Sequence, residues 1–379
     1  MTTSISYDST LTVSLQSVDD AAAALVQVAM LEKFSRSIFT TRPWLAAWLQ
    51  TLGDKAEIYI LQFYTRQNKL VGLCFMTRAT IRRRNFFQIE QLSLNESEVK
   101  DNKFIIEYNG ILHDPDYRDD VHYAFIEFLG CAGLKFDELR INAAEAEAFH
   151  HLKKYCSGFD LHFIEDETSK AYYTDLNGYD GDPGSYLAAL SKSRREQIRR
   201  SIKYFSQFGE PVLEFASGSE EYLEFFHQLG ELHQRVWTSR GRAGAYASQN
   251  WVDFHRRLIT DYPDRVQLIR ISYGSHVLGY LYNLIDGKAA YSIQSGFNYS
   301  ADKNDRPGIV AHFMVTNDYI KGAMQRYEYL AGESQYKCSL SNAHRQFSWY
   351  RVQKRNLKMR IENTAVWLKR AVTNKWPYS

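Results

Sequence analysis

Three polar residues near the end of the chain, Glu333, Tyr336 and Lys337, follow a strand-like run, Tyr327-Glu328-Tyr329-Leu330, and a glycine, Gly332. A carboxylate, a phenol and an ammonium at a strand exit can take a proton from an amine, return one to a leaving group and hold an anion. Upstream, Arg306-Pro307-Gly308-Ile309-Val310 opens a helix whose residues Val310, Phe313, Met314, Asn317 and Ile320 recur at three and four. Proline at a first helical position beside glycine marks a helix N-terminus. The first amides there lack partners inside the helix, and the aligned peptide dipoles favour negative charge. Arg306 adds a forked donor set suited to phosphate. An ordinary crossover helix with a proline start has the same spacing, so the pattern admits an anion site without specifying it.

These residues need a strand–helix–strand unit to position them. An apolar strand, Ala289 to Phe297, precedes the polar loop Asn298 to Asp305. The helix leaves through Lys321-Gly322 into the strand Tyr327 to Leu330 and a polar loop to Lys337. Before this unit lie a helix over about Glu220 to Ser239, a second over Asn250 to Thr260 and a hairpin, Val266 to Ile271 with Val277 to Leu281. The first of these helices carries His233, Trp237 and Arg240. His233 shares its apolar stripe with Tyr222, Phe226, Leu229 and Val236, which reads as a core histidine as readily as a ligand-binding one.

Further upstream the spacing predicts one long helix, Tyr186 to Phe208. One face is apolar, and Lys192, Arg195, Arg199 and Lys203 line another, with Arg194 and Arg200 beside them. Such a basic face is solvated or grips an anionic polymer or nucleotide. The Gly/Asp-rich stretch Asn177 to Gly184 reads as a linker between domains 1–176 and 177–379.

The N-terminal half predicts a strand over residues 11–18, helices at Asp19 to Ser35 and Thr41 to Leu52, and a hairpin, Ile58 to Tyr64 with Leu70 to Met76. Strands at Phe86 to Leu94 and Phe104 to Leu112 follow, then a helix at Tyr117 to Leu134, a strand at Glu138 to Ile141 and a helix near Ala144 to Tyr155. The tail holds a strand near Trp349 to Val352 and a basic amphipathic helix near Lys358 to Val372. The two halves echo each other: Trp44 and Gly72 stand at the same interval as Trp251 and Gly279, around the same helix and hairpin. In the first half, Tyr117-Arg118-Asp119-Asp120 replaces the Pro-Gly helix start, and two acids there repel phosphate.

With 379 residues the chain is long enough for two domains, and its 45% apolar content is that of a globular protein. A net charge of +2 argues against DNA as a partner. The run Ala21 to Leu31 is too short to span a bilayer, and Met1 to Asp8 shows no signal-peptide pattern. Four scattered cysteines argue for a reducing cytoplasm and against a disulfide framework or a metal site.

The stretch around Arg306-Pro307-Gly308 and Glu328-Tyr329-Leu330-Ala331-Gly332-Glu333-Ser334-Gln335-Tyr336-Lys337 resembles the bacterial acyltransferase family related to the cellulose-biosynthesis protein CelD. That family lies in the GNAT N-acetyltransferase superfamily near the FemAB fold. Its motif reads Ser-Pro-Gly at the helix start and Asp-Phe-Leu-Arg-Gly-Asp-Glu-Pro-Tyr-Lys after the strand. Ala331 and Gln335 depart from it. Leu232 to Gly241 resembles the family's helix end with Trp and Arg-Gly, and the likeness spans roughly residues 180–340.

The resemblance implies an α/β protein with mixed sheets and two tandem GNAT-like domains, of which the first lacks a donor site. It implies acyl-CoA as co-substrate and no metal. The diphosphate would sit at Arg306, Gly308, Ile309 and Val310, and the thioester carbonyl on a strand amide near Gln294 and Ser295. Glu333, Tyr336 and Lys337 would be catalytic, and His233, Trp237 and Arg240 would wall an acceptor pocket. The acceptor would be an amine of a small molecule, sugar, nucleotide-sugar or other polysaccharide or envelope precursor. One rival is a FemAB-like transferase using aminoacyl-tRNA; the other is a catalytically degenerate pair acting in polysaccharide assembly. The oligomeric state is left open.

Overall fold

The structure is a computed structural model that describes residues 2–6, 10–52, 56–83, 87–98, 106–131, 134–179, 181–302 and 304–373. The chain opens with strands β1 (Thr2–Ser6) and β2 (Thr12–Ser17). Asp20 starts α1 (Ala21–Leu31) by accepting from the Ala22 and Ala23 amides. Then come α2 (Arg42–Leu52), β3 (Glu57–Tyr64), β4 (Leu70–Arg83), β5 (Phe87–Leu94) and β6 (Leu112–His113). They are followed by α3 (Arg118–Cys131), β7 (Glu138–Glu145), α4 (Ala146–Phe149), α5 (Leu152–Cys156) and β8 (Leu161–Asp175). The strand expected over residues 104–112 begins outside the described residues, and only β6 is extended. Tyr108 turns to φ 53 and the Asn109 side chain bonds Leu94 O, which breaks the extended run.

Residues expected to form one long helix form two, α6 (Pro183–Ala189) and α7 (Lys192–Phe205). Leu190 is extended at ψ 156, and Ser191 restarts the helix by accepting from Arg194 N. Asp180 of the expected linker lies outside the described residues, and Asp182 caps α6. The remaining elements are β9 (Pro211–Phe215), α8 (Gly218–Ser239), α9 (Gln249–Asp261), β10 (Val266–Tyr273), β11 (His276–Asp286) and β12 (Ala289–Phe297). After them come α10 (Pro307–Lys321), β13 (Arg326–Ala331), α11 (Gln335–Leu340), β14 (Ala343–Lys354) and α12 (Leu357–Thr373).

Two compact units result, residues 1–42, 52–168 and 347–379, and residues 43–51 and 169–346. In the first, β1 to β5 form an antiparallel run, β5 pairs β7 in parallel, and β14 pairs β7 antiparallel. Its core joins Leu61, Phe63, Val71 and Leu92 to Phe125 and Leu129 of α3. In the second, β9, β10, β11 and β12 are antiparallel, β12 pairs β13 in parallel, and β8 pairs β13 antiparallel. Its core gathers Ile269, Leu281, Val310, Val315, Tyr319 and Tyr327. The second unit also takes in most of α2, where the edge of Trp44 meets the Phe254 ring 4.7 Å away.

The echo in the sequence is an echo in topology. The order α2, β3, β4, β5, α3, β7 recurs as α9, β10, β11, β12, α10, β13. Gly72 and Gly279 hold matching places early in β4 and β11. An added Cβ would crowd Val121 at 3.0 Å in one case and Gly296 O at 2.2 Å in the other. The boundary expected at 176/177 compares with unit limits at 168/169 and 346/347, because β8 and β14 each begin in one unit and end in the other. No helix among the described residues is long and apolar enough to cross a membrane. All four cysteines are free, Cys74 and Cys156 buried, Cys131 and Cys338 exposed.

Candidate active site

β12 and β13 pair only from Ala289–Arg326 to Tyr291–Glu328, although β12 runs on to Phe297. A bulge near Tyr282–Asn283 leaves Ile293 unmatched on β12. On β13 a second irregularity after Glu328 puts Leu330 at φ 64, a left-handed conformation that costs a leucine about 1–2 kcal/mol. Beyond the paired segment lies a cavity of about 220 Å³. β12 lines it with Ser295 and Phe297, the following loop with Tyr299, α10 with Gly308, Ile309 and His312, and α11 with Tyr336. Arg306 completes the wall.

The N-terminus of α10 therefore opens on a cavity. No side chain caps it; Val310 N closes the first helical turn on Arg306 O at 3.2 Å, and the Val310 side chain is fully buried in the core. Gly308 and Ile309 supply the remaining amides, since Pro307 has none. A second cavity of about 540 Å³ shares Arg306, Ile309 and Tyr336 with the first and adds Ser191, Arg194, Gln197 and Arg200 of the α7 region. Arg194 is buried at 8% exposure and donates to the Gln197 side chain. Burial pushes its guanidinium below the usual range; Tyr186 opposes the shift and the charge of Arg306 adds to it. A buried cation facing another cation is a setting that an anion stabilises.

Ser295 is held from two sides. Its amide donates to Gln294 Oε1 at 3.0 Å, and its carbonyl accepts from His233 Nδ1 at 3.3 Å. His233 Nε2 accepts from Ala245 N at 3.3 Å, so both ring nitrogens are satisfied and burial lowers the pKa. His233 thus braces β12 and stands behind the cavity. Trp237 packs on His233 at 5.7 Å, half-buried, and exposed Arg240 acts electrostatically on Tyr299 at the cavity wall.

The three C-terminal candidates separate. Tyr336 lines both cavities, and its phenol is pushed well up by burial. The Lys337 ammonium lies on Ala331 O at 2.6 Å and Leu330 O at 3.4 Å, and holds the irregular end of β13. Glu333 is exposed, lines neither cavity and acts on the Tyr172 phenol of β8. His312, absent from the sequence-based candidates, is central. Its Nδ1 lies 2.9 Å from Tyr327 Oη, its ring stacks on Tyr336 at 5.5 Å, and burial holds its pKa down at about 3. Its place between Ala311 and Phe313 gave only a helical-stripe signal. Arg194 and Arg200 lay within the basic run, but nothing in that run told inward from outward arginines. Among the described residues no group of His, Cys, Asp or Glu could hold a metal ion.

No curated protein matches the chain in sequence. Residues 192–338 match the acetyltransferase (GNAT) domain family. Among solved structures the chain is similar to FemX, with a TM-score of 0.59 at 8% identity, over 92% of this chain and 99% of that one. It is similar to L-PGS from Bacillus licheniformis, with a TM-score of 0.51 at 12% identity over 92% and 97%. A conserved protein of unknown function from Bacteroides thetaiotaomicron gives 0.50 at 11% identity over 87% and 97%. At these identities the likeness is one of fold. The chain is thus a mixed α/β protein, and the match of its residues 192–338 to the acetyltransferase (GNAT) domain family supports an N-acyltransferase.

Proposed function

We propose that the second unit transfers an acyl group from a CoA thioester to an amine. The observation that carries this reading is the uncapped start of α10, opening on a cavity where β12 and β13 part. The diphosphate sits on the Gly308 and Ile309 amides with Arg306, and Arg194 and Arg200 extend the anion site. The thioester carbonyl takes the place of Gln294 Oε1 on the Ser295 amide, a donor held in position before the substrate arrives. The amine nitrogen attacks the carbonyl carbon, the C–N bond forms and the C–S bond breaks. The surplus proton of the amine leaves to water in the cavity mouth. The departing thiolate takes a proton from Tyr336, which lines the cavity and regains one from water.

The CelD-like resemblance supports an acceptor amine on a sugar, nucleotide-sugar or other polysaccharide or envelope precursor, received beside Trp237 and Arg240 in the cytoplasm. The test is a titration of the full chain with acetyl-CoA, longer acyl-CoAs and free CoA, read by thermal shift, since a ligand of the native state raises stability. Stabilisation that weakens in Arg306→Gln is expected. A shift with aminoacyl-tRNA and none with any thioester would favour the FemAB-like reading. A shift with neither would favour the degenerate pair.

A further inference from the structure

The first unit repeats the donor-side architecture around a cavity of its own. β5 and β7 pair in parallel from Gln91–Glu138 to Ser93–Arg140, and β7 then passes through φ 44 at Ala143, as β13 passes through φ 64 at Leu330. On α3, His122 stacks against Phe149 at 5.4 Å and 24°, matching the pair His312 and Tyr336 at 5.5 Å and 18°. The cavity measures about 370 Å³. Its aromatic walls are Phe34, Tyr108 and Phe149, and its charged groups are Arg36, Arg118 and Glu145. Ser37 lines it at 1% exposure with a hydroxyl that has no hydrogen-bond partner among the described residues.

The chemistry of the wall differs from that of the second unit. Where α10 is uncapped, the turn leading into α3 is closed by Asp114, which accepts from Asp116 N at 3.2 Å. Asp119 and Asp120 add negative charge in the first turn of α3. A multiply charged phosphate meets repulsion there. Arg36 pairs with Glu145 at 3.2 Å, whereas the Arg118 guanidinium bonds a neutral carbonyl, Glu147 O, at 2.8 Å. Burial lowers the pKa of His113 and of His122, so both stay neutral near pH 7. Among the lining residues themselves, two guanidinium groups and one carboxylate leave a single positive charge over aromatic walls. That balance suits a monoanion carried on an apolar body.

We propose that this cavity is a second ligand site, which takes a small monocarboxylate with an apolar or aromatic body and does not take the acyl carrier. The site is independent of the donor reading.

Calorimetric titration of the full chain tests it, with benzoate and the N-acetyl derivatives of alanine, leucine and phenylalanine as probes, and the phenylalanine amide as the uncharged control. At least one acid binds and the amide does not. Gly110→Val fills the cavity, since a Cβ there meets nothing closer than Phe149 at 3.8 Å. Arg118→Gln removes the unmatched charge. Each weakens binding at least tenfold while CoA binding stays as in the parent. Absence of binding by every acid overturns the proposal, as does binding that both variants leave within twofold. Loss of CoA binding in Arg306→Gln alone reports on the donor site and leaves this one standing.

Discussion

His233 and Ser295 are joined by a 3.3 Å hydrogen bond from an imidazole nitrogen of α8 to a carbonyl of β12. Because the other nitrogen accepts from Ala245 N, one tautomer serves both partners. His233→Ala leaves two backbone groups unpaired at a site only 5% exposed. The expected cost is about 1–3 kcal/mol in denaturant unfolding. The KM for the donor rises as Ser295 loosens. Unchanged stability would show that the brace is ornamental.

Gly308 leaves little room beside the helix start, because an added Cβ would stand 3.0 Å from the Phe297 ring. In Gly308→Ala the added methyl presses on that ring and crowds the helix start where the anion would sit. Donor affinity should fall about tenfold, a loss of about 1.4 kcal/mol. The melting temperature should shift little, since the ring borders a cavity. Calorimetry with acetyl-CoA and a melting curve separate the two effects.

Lys337 anchors the carbonyls of Leu330 and Ala331, where β13 turns left-handed. Lys337→Met should lower stability by about 1–3 kcal/mol, the scale of hydrogen bonds to a charged group. Turnover should fall along with it. A variant as stable as the parent but without turnover would return Lys337 to the reacting groups.

Two buried histidines, His255 and His312, have pKa values held near 3 by desolvation. The unfolded chain binds their protons near pH 6.5, so the native state is favoured in full above that pH and loses ground below it. Stability should fall between pH 6.5 and 4 by about 1.4 kcal/mol per pH unit for each histidine. Denaturation midpoints across that range measure the slope, and His312→Asn should remove its share.

Tyr336→Phe keeps the stack on His312 and deletes only the hydroxyl. As thiolate protonation is lost, kcat should fall at least tenfold with little change in donor KM. Equal kcat in a steady-state assay of thiol release would assign that proton to water.

Period and capping carried most of the architecture into the sequence. β10, β11, β12, α8, α9 and α10 lie within a few residues of where alternation and Pro-Gly spacing put them. Three features escaped for local reasons. A single serine, Ser191, breaks what looks like one long amphipathic helix, because its cap competes with helix continuation. The strand expected to end at Leu112 is undone by the side-chain bond from Asn109 to the Leu94 carbonyl. Around the candidate cavity, the glycine-opened helix start was legible because it is contiguous. His312 and Arg194 were not, because their roles depend on which face of a helix meets a cavity. Lys337 stands within reach of the reacting region in sequence, yet its ammonium is drawn to carbonyl oxygens that only the β13 irregularity exposes.

The shared strands β8 and β14 also constrain biosynthesis. A ribosome that has finished the first repeat has not yet made Phe347 to Gln353, which complete the sheet beside β7. That edge stays open until the second repeat has been made. A gene cut at the midpoint would yield two fragments, each lacking a strand encoded by the other.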